Sequence, residues 1–218
     1  MVNKITKKKK KEESKKEEAS EDVVLEMPPK QDEGKIRITG IHGDINEERV
    51  NEAIYGILAL KEMGKITIPD EKDPEKFFEF YNPIDFYIST AGGSACEMFG
   101  LYDVMRGVRE YCPIHTYGVG KVMSAGVLLL AAGTKGQRKI GKYCRVMLHG
   151  VISGQHGYLQ DVENEFEEAK LTQEAYVKAL AENSNMKPSY IKKLIQRKTN
   201  VYLNAKEAVE LGIADIII

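Results

Sequence analysis

Cysteine is scarce in this 218-residue chain, which holds only Cys96, Cys112 and Cys144. Three is an odd number, and the spacing matches no metal-ligand pattern, so the set fits free, mostly packed thiols in a reducing compartment. An excess of charge of one sign is also lacking: 32 Lys and Arg face 33 Asp and Glu, leaving no global field that would draw nucleic acid. The longest apolar run, Val127 to Ala132, is far shorter than the about 20 residues that span a bilayer. No secretory leader is visible near the N-terminus, because the Lys7 to Lys11 run passes straight into Glu12 and Glu13. Export is therefore not expected, and the cytoplasm is the expected location. What is left is a length suited to one ordinary domain with a tail to spare.

The tail is residues 1–33. Its Lys and Glu blocks, followed by Met27-Pro28-Pro29, offer little to bury and do not offset their own ordering entropy, so it reads as disordered and solvated. From Lys35 the pattern changes. Ile36-Arg-Ile-Thr-Gly40 alternates like a strand, and Asp44-Ile-Asn46 followed by two acids opens a helix whose face is Val50, Ile54, Ile57, Leu58 and Leu60. The polar stretch from Pro69 to Asn82 reads as a loop insertion. A strand at Ile84 to Ile88 then runs into Gly92-Gly93 and a helix through Phe99 to Met105. The alternation repeats with a strand at Ile114 to Val119, a turn at Ser124, a helix to Ala132, a strand at Cys144 to His149 and a charged helix from about Tyr158 to Ala181. A helical remainder follows, with Asn204 as cap of Ala205 to Gly212 and a last strand from Ala214 to Ile218. Repeated βα units predict an α/β fold with a largely parallel sheet covered by helices.

Two segments carry chemistry. Gly120-Lys-Val-Met-Ser124-Ala-Gly-Val-Leu-Leu-Leu-Ala-Ala-Gly133 puts a serine among small residues at the start of an apolar helix, and Arg145-Val-Met-Leu-His149 ends an apolar strand in a histidine. Acyl transfer to serine needs a proton acceptor beside the hydroxyl and two donors aimed at the developing oxyanion. The Ala125 amide at the helix N-terminus and an amide of Gly92-Gly93 are candidates for the donors. Each piece also has a plain reading. A serine before Ala-Gly usually caps a helix, a lone histidine usually packs, and Gly-Gly after a strand is equally a turn or a phosphate loop.

The joint order of these pieces resembles the ClpP family of self-compartmentalised serine proteases. The likeness runs from about Ile36 to Ile218. It covers Ile36-Arg-Ile-Thr-Gly40, Ile88-Ser-Thr-Ala-Gly-Gly93, Leu101-Tyr-Asp-Val-Met105, Ser124-Ala-Gly with its following helix, Arg145 to His149, and Leu203-Asn-Ala-Lys-Glu-Ala-Val-Glu-Leu-Gly-Ile-Ala-Asp215. By resemblance, residues 34–218 form a ClpP/crotonase-like spiral of βα units with a protruding handle at about residues 154–181, in which Ile152 to Tyr158 corresponds to a Gly-rich strand. The resemblance further implies Ser124 as nucleophile, His149 as general base, Gly93 and Ala125 as oxyanion donors, and Gly92 and Gly150 beside the substrate. It implies unfolded polypeptide substrates, a homo-oligomer of stacked heptameric rings (a tetradecamer) and a partner AAA+ unfoldase. No cofactor, metal, nucleic acid or membrane is expected.

The pattern departs from the family at the residue that should orient the histidine. The family's aspartate precedes the aromatic-Leu-polar-Ala segment, here Tyr202-Leu-Asn-Ala205, and Asn200 stands in its place. An amide can hold an imidazole N–H but does not balance an imidazolium charge, and one serine protease lost about 10⁴ in rate through such an exchange. Asp161 and Glu163 are the other carboxylates weighed, more naturally a solvated face, and His156 reads as a handle residue. Two alternatives stand beside a serine endopeptidase: a weakened or non-catalytic ring subunit, and an acyl-CoA-handling crotonase relative.

Overall fold

In the computed structural model, residues 36–196 and 199–218 are described. The segment 1–33, read above as a solvated tail, lies outside them.

The elements follow the chain in the order β1 (Ile38–His42), α1 (Glu47–Met63), β2 (Lys65–Asp70), β3 (Asp73–Tyr81), β4 (Ile84–Thr90), α2 (Ala95–Val108), β5 (Ile114–Met123), α3 (Ala125–Ala131), β6 (Lys139–Ile140), β7 (Arg145–Leu148), α4 (Leu159–Asn183), α5 (Pro188–Ile195), β8 (Val201–Leu203), α6 (Ala205–Glu210) and β9 (Ile216–Ile217). The main sheet has the order β1-β4-β5-β6-β9, with β7 attached to β5 and β8 to β7. All pairs in it are parallel except β7 with β8, as the repeated βα pattern predicts.

The long strand β5 is the pivot. Its first half pairs Tyr117 with Lys139 and Gly118 with Ile140, and its second half pairs Val122 with Val146 and Met123 with Met147. Between the halves Gly120 sits at φ 66°, where a side chain would be strained, so the strand changes partner there. The end of β5 is thereby delivered next to the end of β7. One face of β4 and β5, carrying Ile84, Phe86, Ile88, Ile114 and Val122, is buried in the core with Met98, Leu101, Met105 and Leu128 to Leu130. All seven residues of α3 are buried, which explains its uninterrupted apolar sequence. The other face holds half-buried Tyr87 and Tyr117, stacked at 4.5 Å.

Several expectations change. The stretch expected as a loop insertion from Pro69 to Asn82 is largely the second half of an antiparallel hairpin, β2–β3, in which Ile66 faces Phe80 and Ile68 faces Phe78. These cross-strand apolar pairs stabilise it although most of its residues are polar and exposed. Segment 152–158, expected as a strand, forms none; β7 already has β5 on one edge and β8 on the other, so no edge of β7 remains for it. The sequence pattern predicts neither β6 nor β8, the expected strand at Cys144 to His149 is Arg145–Leu148, and the charged helix extends to Asn183. Within α4 the buried residues are Tyr176, Val177, Ala179, Leu180 and Asn183, so its first four turns project from the body. No helix among the described residues is long and apolar enough to cross a membrane.

Candidate active site

Ser124 connects β5 to α3 at φ 54° and ψ −121°. It is the one non-glycine residue with positive φ among the described residues, a conformation that costs on the order of 1–3 kcal/mol and persists where neighbours enforce it. On one side its N–H donates to the Met147 carbonyl at 2.7 Å. On the other its carbonyl accepts from the Val127 N–H at 3.0 Å and from the Tyr176 hydroxyl at 3.3 Å. The serine holds the position of a helix cap, yet its hydroxyl makes no cap bond. It turns instead to His149, with 2.8 Å between Oγ and Nε2. The plain capping reading of Ser124 therefore does not describe this residue.

His149 follows β7 directly and is half-buried. Because β5 and β7 are parallel neighbours, both strands end at one edge of the sheet, where α/β sites collect. The next residues are held by α4: the Val151 N–H donates to Gln173 Oε1 at 3.2 Å. Gln173 and Tyr176 are one turn apart on α4, so one helix face touches the segments on both sides of the Ser124–His149 pair. Sequence reading missed both. Neither position carries a signal, since a glutamine and a tyrosine in a charged helix are ordinary.

Gly92 and Gly93 follow β4 with φ 111° and 155°. The Gly92 N–H donates to Thr90 Oγ1 at 2.9 Å, and its carbonyl accepts from Ile45 N at 2.9 Å. A Cβ on Gly92 would come within 2.6 Å of the Ser124 Cβ, and one on Gly93 would run into the Ile45 carbonyl. Two glycines are needed here because the nucleophile loop presses on one and the segment before α1 on the other. The Gly93 and Ala125 N–H groups have no acceptor among the described residues, and Gly93 is exposed. Ala125 opens α3, where the first amides have no helical partner by construction. Gly150 is half-buried, packed against Gln173 and the Ile195 carbonyl.

The structure brings together Ser124, His149 and Gly92, but not the whole expected set. Asn200, one residue before β8, is exposed and forms no hydrogen bond with His149. Among the described residues His149 has Ser124 as its hydrogen-bond partner, through Nε2. Asp161 and Glu163 are exposed on the projecting part of α4 and make no bond to His149, and His156 is exposed ahead of it. Among the described residues no group of three His, Cys, Asp or Glu is arranged to hold a metal ion.

Residues 73–218, which include Gly92, Ser124, His149 and Asn200, match the Clp protease family. Relatives include the ATP-dependent Clp protease proteolytic subunit 1 of Prochlorococcus marinus subsp. pastoris, 30% identical over 188 residues that make up 85% of this chain and 91% of that protein. Proteolytic subunit 2 of Parasynechococcus marenigrum is 28% identical over 185 residues, 84% of this chain and 89% of its own length. With the mostly parallel sheet, the helix-opening serine and the strand-end histidine in the order read from the sequence, the α/β architecture is of the ClpP/crotonase-like kind and this chain belongs to the Clp protease family.

Proposed function

We propose that the chain is a serine endopeptidase working through Ser124 and His149, with an activity lowered by the lack of an orienting carboxylate. The observation that carries it is the 2.8 Å contact between Ser124 Oγ and His149 Nε2, made by a serine whose backbone is strained and whose hydroxyl does not cap its helix. In this reading His149 Nε2 takes the hydroxyl proton as Oγ attacks the peptide carbonyl, and the N–H groups of Gly93 and Ala125 receive the oxyanion. The imidazolium gives its proton to the leaving amine. A water then attacks the acyl-serine with His149 again as base, releasing the carboxylate product and restoring the hydroxyl.

The rate is where the third residue matters. Nothing among the described residues balances the imidazolium, and a serine–histidine set without its acid keeps part of its catalysis through the oxyanion donors. Unfolded polypeptides are the substrates this reading favours, since an extended chain would add as a strand beside exposed Gly93 and the segment that starts at Gly150. The relatives' names call them ATP-dependent proteolytic subunits, and we extend to this chain assembly into stacked rings and work with an ATP-driven unfoldase, in the cytoplasm. A second reading, a ring subunit without activity, is favoured by the missing bond from Asn200 to His149.

A fluorophosphonate probe separates the two. The endopeptidase reading expects covalent labelling that disappears in Ser124→Ala and His149→Ala, together with slow cleavage of an unstructured peptide. A wild type as unreactive as Ser124→Ala would assign the chain to the inactive class.

A further inference from the structure

The Ser124 carbonyl and the Ala125 N–H belong to one peptide group. That group is planar and trans, so its C=O and N–H point in opposite directions and whatever fixes one aims the other. Two donors reach the carbonyl: the Val127 N–H at 3.0 Å, from within the first turn of α3, and the Tyr176 hydroxyl at 3.3 Å, from α4. Tyr176 is 7% exposed. Burial pushes its phenol pKa far up, so it stays a protonated donor across the working pH range. The ring is packed where α4 joins the body, and its hydroxyl is the one side-chain group bonded to this peptide among the described residues.

From this juxtaposition we infer that Tyr176 is a positioning residue for the oxyanion donor, acting through the Ser124–Ala125 peptide without touching substrate. The hydroxyl does two things. It holds the plane of a peptide whose serine sits at φ 54° and would otherwise relax toward ordinary backbone angles. It also polarises the carbonyl, which makes the N–H at the far end of the same group a better donor, as in any hydrogen-bonded chain of amides. The benefit appears only when negative charge develops opposite Ala125, that is, in the tetrahedral state and not in the bound substrate. The inference rests on the endopeptidase reading, deepening it by one residue.

The test is Tyr176→Phe, which keeps the ring and removes the hydroxyl. Five quantities are compared with wild type: kcat and KM on an unstructured fluorogenic peptide, inhibition by a matched peptide boronate, inhibition by the unreactive peptide amide, and the melting temperature. The boronate forms a tetrahedral adduct on serine with an oxygen in the oxyanion position, whereas the amide reports ground-state binding. Loss of one neutral hydrogen bond predicts a fall in kcat of about fivefold. It predicts an equal weakening of the boronate, with KM and amide inhibition within about twofold and melting lowered by no more than about 4 °C, the share of one hydrogen bond in the fold. Unchanged kcat and boronate affinity overturn the inference. So does a uniform weakening of boronate, amide and KM, or a large drop in melting temperature, either of which would make Tyr176 a packing residue only. Failure of the parent reading looks different: wild type itself would not take up fluorophosphonate at Ser124, and both ideas would fall together.

Discussion

Arg138, only 4% exposed, holds both carboxylate oxygens of Asp215, through Nε at 2.8 Å and through Nη2, while its Nη1 reaches the carbonyls of Ala131 and Asn183. One guanidinium thus joins the start of the C-terminal strand segment to the ends of α3 and α4. Arg109 does similar work beside it, donating to the Ala132 carbonyl and to Asn183 Oδ1. Cations at the C-terminal end of α3 complement its dipole, and they anchor the helix whose other end is the proposed site.

Asp215→Asn should therefore destabilise the fold by about 3 kcal/mol, because it leaves a buried guanidinium without its counter-charge. Burial raises the Asp215 pKa, but hydrogen bonds from Arg138 and from the Gly136 amide outweigh it and hold the carboxyl below its usual range. The carboxylate's contribution is thus complete above the unfolded value of about 4 and lost as pH falls through the lower folded value. Urea midpoints from pH 7 down to 3 should drop at the acid end in wild type and drop less in the variant. Equal curves would show that the pair contributes nothing.

Gly92→Ala should impair the site more than the fold. The new methyl meets the Ser124 side chain at 2.6 Å, and the residue lies at φ 111°. Fluorophosphonate labelling is expected to fall by at least about 100-fold, the scale of a lost oxyanion contact or a misplaced nucleophile, with the circular dichroism spectrum retained. Gly93→Ala, aimed at backbone of the segment before α1, should lose stability as well. Labelling of Gly92→Ala at the wild-type rate would refute the packing of Gly92 against the serine.

Asn200→Ala is expected to change peptide hydrolysis by less than about twofold, since Asn200 is exposed and unbonded to His149 and exposed substitutions away from such contacts have small effects. A tenfold loss would mean that Asn200 orients the imidazole during turnover.

Thiol access offers an independent check on packing. Cys96 is exposed, while Cys112 and Cys144 are buried. Burial raises both buried thiols, Cys144 to about 11, and thiolate is the reactive form. Iodoacetamide at pH 8 should modify Cys96 alone in the native protein and all three cysteines in denaturant, as read by mass spectrometry of tryptic peptides.

The parts of this molecule legible in its sequence are those with a repeating physical signature. The strand–glycine–helix rhythm exposed β4, α2, β5 and α3, and the serine and histidine stood at the ends of apolar strands where the fold places them. The β2–β3 hairpin escaped because its apolar residues, Ile66, Ile68, Phe78 and Phe80, pair across a turn while Pro69, Pro74 and many charges dilute the alternation. Strands β6 and β8, of two and three residues, are too short for any periodicity. Arg138 and Tyr176 were invisible for another reason. Their importance lies in which distant carbonyl each meets, 7 residues away for Arg138 with Ala131 and 52 for Tyr176 with Ser124, and composition holds no trace of that.

The backbone at Ser124 bears on how this chain responds to selection in the laboratory. Its φ and ψ lie in the mirror image of the extended region, which glycine enters freely and serine does not. A screen that rewarded thermal tolerance alone would drift toward glycine at position 124, gaining stability while discarding the hydroxyl that faces His149. Improvement of this protein by stability has to be run with that codon held fixed.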